Sequence, residues 1–119
     1  MYRAYSETLR GELYQFGTPS DRPTTPLLLV HGGMQNRRGW DTYAIPQLAA
    51  LGVWGFTMDL PGHGDSYPER LPQFTVGVYA VAVRAAFDKI KNNLGSCAIL
   101  GHSVGGFLTQ MLMAQPNFD

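Results

Sequence analysis

Three short apolar runs, each closed by a glycine-containing turn and followed by helical spacing, constrain this chain more than any other feature. The first is LLLV at 27–30, set between Pro26 and His31-Gly32-Gly33. The second is VWGFTMDL at 53–60, stopped by PGHGDS, and the third is CAIL at 97–100, stopped by GHSVGG. Apolar runs bounded by Pro and Gly fit strands buried on both faces, as in a parallel sheet. Between them the period changes. Over 40–52, Ile45, Leu48 and Leu51 fall at helical spacing, with Pro46 in the first turn and Gly52 as a C-terminal cap. Val76, Tyr79, Ala80, Val83, Phe87, Ile90 and Leu94 mark one face of a longer helix, with Thr75 as its N-cap and Gly95 as its end. Val104, Phe107, Leu108, Met111 and Leu112 mark a third, which Pro116 stops. Strand and helix alternating in this way predict an α/β fold: a mostly parallel sheet with right-handed crossovers and flanking helices. Upstream, GELYQFGT at 11–18 reads as an early strand, one arm of a hairpin, and PSDRPTTP at 19–26 as a connector.

The 119 residues suit one domain, and a 45 % hydrophobic content argues against global disorder. Nine basic residues balance nine acidic ones, so no net field attracts nucleic acid or an anionic membrane. No basic cluster interleaves with aromatics, and no apolar run approaches the roughly 20 residues of a membrane span. The first residues lack the apolar core of a secretory signal, so a soluble, cytoplasmic protein is the expectation. The lone Cys97 sits in an apolar run and reads as a small buried hydrophobe. The three histidines have neither paired short spacing nor cysteine neighbours, so no metal is expected. Gly62-His63-Gly64 lacks the third glycine of a dinucleotide loop, and no cofactor is expected.

The turns that close the runs carry the chemistry. HGG at 31–33, DLPGHGDS at 59–66 and GHSVGG at 101–106 all lie at strand exits, on the rim where open α/β sheets place their sites. In their order and placement they resemble the amino-terminal half of the α/β-hydrolase superfamily, in its serine esterase and lipase-like branch. The resemblance runs from about Leu27 onward. It implies that Ser103 is a nucleophile on a strained strand-to-helix turn, flanked by Gly101 and Gly105 because larger side chains would collide there. It also implies an oxyanion hole from the backbone N–H of Val104 and that of Gly33, with Met34 as the other choice for the second donor. A serine rather than an aspartate at the elbow points to acyl chemistry through an acyl-enzyme.

Other residues receive plainer readings. His31 and His63 are expected to brace backbone, His102 to pack at the elbow, and Asp59 to brace its loop. Arg37 and Arg38, in the loop at the mouth, are expected to be solvated, with a substrate carboxylate as their functional alternative. Met34, Trp40 and Tyr67 are candidate pocket-lining residues, with core or surface packing as the alternative.

The family order places an acid and a catalytic histidine after the serine. No histidine follows Ser103 here, and Asp119 is misplaced for the acid. The expectation is therefore the amino-terminal part of a single hydrolase domain over 1–119, truncated after the elbow helix and inactive or incomplete as this fragment. The serine's strand would then be an open edge, prone to self-association or to pairing with a chain that supplies the missing half. The alternatives are a non-catalytic module for a small ligand and an interaction protein that pairs through that edge. The substrate implied by the resemblance is a small acyl compound.

Overall fold

The computed structural model describes residues 2–3, 12–19, 24–64 and 76–115. Expectations for Tyr67, Thr75, Pro116 and Asp119 lie outside the described residues. Strands β1 (Tyr2–Arg3), β2 (Glu12–Phe16), β3 (Leu27–Val30), β4 (Gly55–Met58) and β5 (Ala98–Gly101) form one sheet in the order β1-β2-β4-β3-β5. The three apolar runs form its parallel part, with β3 in the centre between β4 and β5. The early strand β2 runs antiparallel to β4 and pairs with β1, so it is one arm of an antiparallel pair as expected.

LLLV forms a strand because both of its faces are covered. Leu28 and Val30 enter the main core, while Leu29, also fully buried, lies on the other face. Gly55 opposes Leu27, and a Cβ there would lie within the Leu27 backbone, so only glycine lets β3 and β4 pair at this point.

Helix α2 (Val76–Leu94) buries Ala82, Val83, Ala86, Phe87 and Ile90 against Leu13, Phe56 and Met58, and α3 (Val104–Met113) adds Leu108 and Leu112. Full burial of side chains such as Phe56, Phe87 and Ile90 contributes about 1.5–3 kcal/mol each. Gly95 ends α2 at φ +87°. No described helix is long and apolar enough to cross a membrane.

Three expectations need correction. Helix α1 is shorter than predicted, Ala44–Ala50, and residues 37–40 form a separate 3-10 turn, Arg37–Trp40, capped by the Asn36 side chain. Leu51 falls beyond the last turn of α1 and is exposed, and the helix buries none of its residues. In β5, burial alternates: Ile99 packs on the core, while Ala98 and Leu100 are exposed, because β5 is paired on one side only among the described residues. Phe107, at a predicted apolar position of α3, is likewise 54 % exposed. Cys97 precedes β5 and is half-buried against the core, where burial pushes its thiol pKa up to about 12.

Candidate active site

Register brings the candidate residues together. Val30 of β3 stands opposite Met58 of β4 and Gly101 of β5, so the next residues of all three strands, His31, Asp59 and His102, emerge side by side at one rim. The order of the sheet thus converts three separated motifs into one neighbourhood.

Beyond β5 the backbone turns sharply. His102 donates its N–H to the Val30 carbonyl at 3.0 Å, Ser103 sits at φ +56° and ψ −116°, and α3 starts at Val104. A serine in that conformation is strained by about 1–3 kcal/mol, and the surroundings must hold it there. Close packing does so. A Cβ on Gly101 would lie 2.1 Å from the Gly105 carbonyl oxygen, and one on Gly105 would lie 2.2 Å from that of Val30. Helix and strand therefore meet backbone to backbone, and Ser103 is left exposed at the tip. The N–H of Val104, first in its helix, has no acceptor within α3 and lies at the positive end of the helix dipole.

The loop after β3 lies across from this turn. A Cβ on Gly32 would be 3.2 Å from Ser103 Cβ, and one on Gly33 would be 3.3 Å from Val104 Cγ2. Polar side chains hold the loop. His31 is 1 % exposed, donates from Nδ1 to the Gly32 carbonyl at 2.7 Å and accepts the Leu60 N–H on Nε2 at 3.0 Å. Burial lowers its pKa, the Gly32 carbonyl and Asp59 oppose that, and His63 reinforces it, so the ring is neutral at pH 7. His63 donates from Nδ1 to the Pro61 carbonyl and accepts the Met34 N–H on Nε2 at 3.3 Å. The Gln35 side chain accepts the Gly32 N–H. Both nitrogens of His31 and His63 are thus occupied by backbone. Of the two choices for the second oxyanion donor, the Met34 N–H is committed to His63, whereas the Gly33 N–H makes no hydrogen bond to a described residue.

Asp59 is 1 % exposed and accepts the Arg37 backbone N–H at 2.8 Å and the Arg37 guanidinium, which lies 3.6 Å over the Tyr14 ring. This corrects the reading of Arg37 as a solvated loop residue. The buried carboxylate needs a cation, and Arg37 is within reach. Arg38, its neighbour, is exposed.

Beside the turn opens a cleft of about 610 Å³ whose wall includes Trp40, Arg38, Tyr43 and His102, the residue before Ser103. Trp40 is part of that wall and Met34 is not. Held at φ +59°, Met34 is 99 % exposed and stands outside the wall. The bracing role of Gln35, the Arg37–Asp59 pair and the place of Tyr43 had no separate signal in the sequence. Asn36, two residues before the Arg38 N–H it accepts, is an ordinary Asx cap that spacing alone would suggest. No group of His, Cys, Asp and Glu among the described residues is arranged to hold a metal.

The sequence profile of the alpha/beta hydrolase family matches residues 27–118. Among solved structures, the chain is similar to a carboxylesterase of the thaumarchaeon Nitrososphaera gargenis, at 25 % identity and TM-score 0.79 over 99 % of this chain and 42 % of that one. It is also similar in fold to ferulic-acid-bound Est1E from Butyrivibrio proteoclasticus, at 20 % identity and TM-score 0.71 over 96 % and 47 %. An epoxide hydrolase from Vigna radiata matches at 19 % identity and TM-score 0.72 over 98 % and 36 %. The chain therefore spans less than half the length of each of these structures. No curated protein matches it.

Proposed function

The chain belongs to the alpha/beta hydrolase family, and on that premise we propose that it carries the nucleophile and the oxyanion hole of a serine hydrolase acting on a small ester-like substrate. The observation that carries this reading is Ser103 held at φ +56° between β5 and the first residue of α3, Val104, with the Gly32-Gly33 loop packed against Ser103 and Val104. In the proposed reaction Ser103 Oγ attacks the acyl carbon as its proton passes to a general base. The carbonyl oxygen becomes an oxyanion, which the N–H groups of Val104 and Gly33 hold. Collapse of that intermediate breaks the bond to the leaving group, which takes the proton from the base and departs as the alcohol. Water then repeats the sequence on the acyl-enzyme, releasing the acid and restoring Ser103.

The base and its acid are assigned to residues other than these 119. Two observations support that. The rings of His31 and His63 are fully engaged by backbone, and no hydrogen bond joins the Ser103 hydroxyl to a described residue. Among the described residues β5 is paired on one side only, and this, with Leu100 at 46 % and Phe107 at 54 % exposure beside it, supports this edge as the place where the chain segment carrying them attaches.

A fluorophosphonate applied to the natural protein carrying this sequence is expected to label Ser103, and Ser103→Ala to abolish both labelling and turnover of p-nitrophenyl acetate. The 119-residue chain by itself is expected to keep only roughly 10³–10⁴-fold over water. Undiminished labelling in Ser103→Ala would overturn the proposal. Ligand binding in the cleft without any labelling would favour a non-catalytic binding module.

A further inference from the structure

The two rim histidines are arranged as a reciprocal pair. His31 follows β3 and His63 belongs to the turn after β4, and each accepts on Nε2 a backbone N–H from the other's loop. Leu60 donates to His31 at 3.0 Å, and Met34 donates to His63 at 3.3 Å. Each ring then donates from Nδ1 to a carbonyl of its own loop, that of Gly32 at 2.7 Å and that of Pro61 at 3.0 Å. The ring centroids lie 5.1 Å apart. The result is a clasp between two loops that closes only when both imidazoles are neutral, with the proton on Nδ1 and the lone pair on Nε2.

What the clasp holds is the pair of peptide groups on either side of Gly33. The Gly32 carbonyl and the Gly33 N–H share one planar trans peptide, so the bond from His31 to that carbonyl turns the N–H to the opposite side. The next peptide carries the Met34 N–H, and His63 holds it. Glycine has the widest choice of φ and ψ, so a Gly33 between two free peptide planes would leave its N–H without a fixed direction. Pinning both planes removes that freedom. Met34 stands at φ +59°, a region unfavourable to it, while its N–H meets His63.

Around the pair, Asp59 faces His31 with its charge met by Arg37, and Tyr79 of α2 sets its ring edge-on to His63 at 5.7 Å. Burial favours the neutral form of His31, His63 reinforces this and Asp59 opposes it. His63 is only half-buried, so solvent protons reach it more readily than His31. An imidazolium at His63 has no lone pair for the Met34 N–H and sets donor against donor.

Resting on the serine hydrolase reading, we propose that His31 and His63 are positioning residues for the oxyanion donor: their clasp fixes the direction of the Gly33 N–H, and a proton on His63 opens it and slows turnover while Ser103 stays in place. The β3 side of the site is then acid-sensitive independently of the general base.

The experiment follows hydrolysis of p-nitrophenyl acetate from pH 8 to pH 5 by the natural protein carrying this sequence, unaltered and as His63→Gln and His63→Leu. Glutamine offers the Met34 N–H a carbonyl oxygen that takes no proton, and leucine offers nothing. At pH 8, His63→Leu is expected to lose about ten- to a hundredfold in kcat with KM changed by less than about twofold, since an oxyanion forms only on the way through the transition state. His63→Gln should recover much of that loss. As pH falls, the unaltered protein should lose ground relative to His63→Gln, and titration of the general base, common to both, cancels in the ratio. Amide hydrogen exchange over residues 32–36, corrected for its intrinsic pH dependence, reads the clasp without chemistry. Protection should fall in His63→Leu, and should fall on acidification in the unaltered protein but not in His63→Gln. An unchanged kcat in His63→Leu, an equal loss in both variants, or a ratio constant from pH 8 to pH 5 would overturn the proposal. Exchange that follows the clasp in a protein that fluorophosphonate does not label sinks the hydrolase reading alone. Labelling at Ser103 with exchange indifferent to His63 sinks this inference alone.

Discussion

The two sides of the site are built by different forces. The turn after β5 takes its shape from atoms that are missing: Gly101 and Gly105 let helix and strand backbones approach where any Cβ would overlap a carbonyl oxygen. The loop after β3 takes its shape from polar side chains, with His31, Gln35, Asp59 and His63 each engaging a backbone group that would otherwise stand alone. The first side is steric, so it should tolerate changes of pH and salt and resist any added mass. The second is electrostatic, so it should respond to loss of a partner or gain of a proton.

The largest expected effect comes from adding mass to the steric side. Gly105→Ala places a Cβ 2.2 Å from the Val30 oxygen and 2.7 Å from the His31 oxygen, both backbone atoms that cannot swing aside. A destabilisation of at least about 3 kcal/mol in urea unfolding is expected, at the upper end for overpacking. Gly39→Ala, with open space around it, should stay within about 0.5 kcal/mol. If both substitutions cost the same, the packing account of the elbow fails.

Removing a partner from the electrostatic side ranks next. Asp59→Ala leaves the Arg37 guanidinium, 12 % exposed, without its carboxylate. Breaking a fully buried pair costs about 3–5 kcal/mol, and partial exposure of Arg37 together with its stacking on Tyr14 reduces this to about 2–3 kcal/mol. Adding Arg37→Met should recover part of the loss, since no charge is then stranded. A double variant less stable than Asp59→Ala alone would show that packing of the arginine stem, rather than the charge pair, holds the loop.

The same division explains what was legible in the sequence. The steric side was open to reading, because Gly101, Ser103 and Gly105 lie within five residues and the collision that requires Gly101 is with Gly105 itself, although the one that requires Gly105 is with Val30 and His31 at the end of a strand distant in the chain. The strands were legible too, since Leu28, Leu29 and Val30 of LLLV and all of GFTM are buried. The electrostatic side was largely hidden. Arg37 and Arg38 are neighbours of the same type, and their fates differ because Asp59, 22 residues away from Arg37, is within reach of only one of them. Likewise Leu100 and Phe107 satisfy the apolar pattern and are nonetheless exposed, because cover for β5 depends on what pairs with the side that no described residue pairs and not on its own period. Met34 and Trp40 carried the same reading in the sequence, and what differs between them, the left-handed backbone and full exposure of Met34 against the place of Trp40 in the cleft wall, has no signal in the sequence.

The smallest effect, and the one that distinguishes the two sides most cleanly, concerns His31. Its pKa in the folded chain is lowered from 6.5, chiefly by burial. The unfolded chain therefore takes up a proton before the folded one does. His31 contributes its full stability above about pH 6.5, loses it as pH falls below that value, and adds no further dependence below its folded pKa. The structural reason is that Nε2 accepts the Leu60 N–H, and an imidazolium there would set donor against donor. Urea midpoints measured from pH 8 to pH 5 should show the unaltered protein losing ground relative to His31→Gln as acid is added, because the glutamine does not titrate. A pH-independent gap between the two would mean that His31 holds the loop by shape alone, and the two sides of the site would then differ less than their contacts suggest.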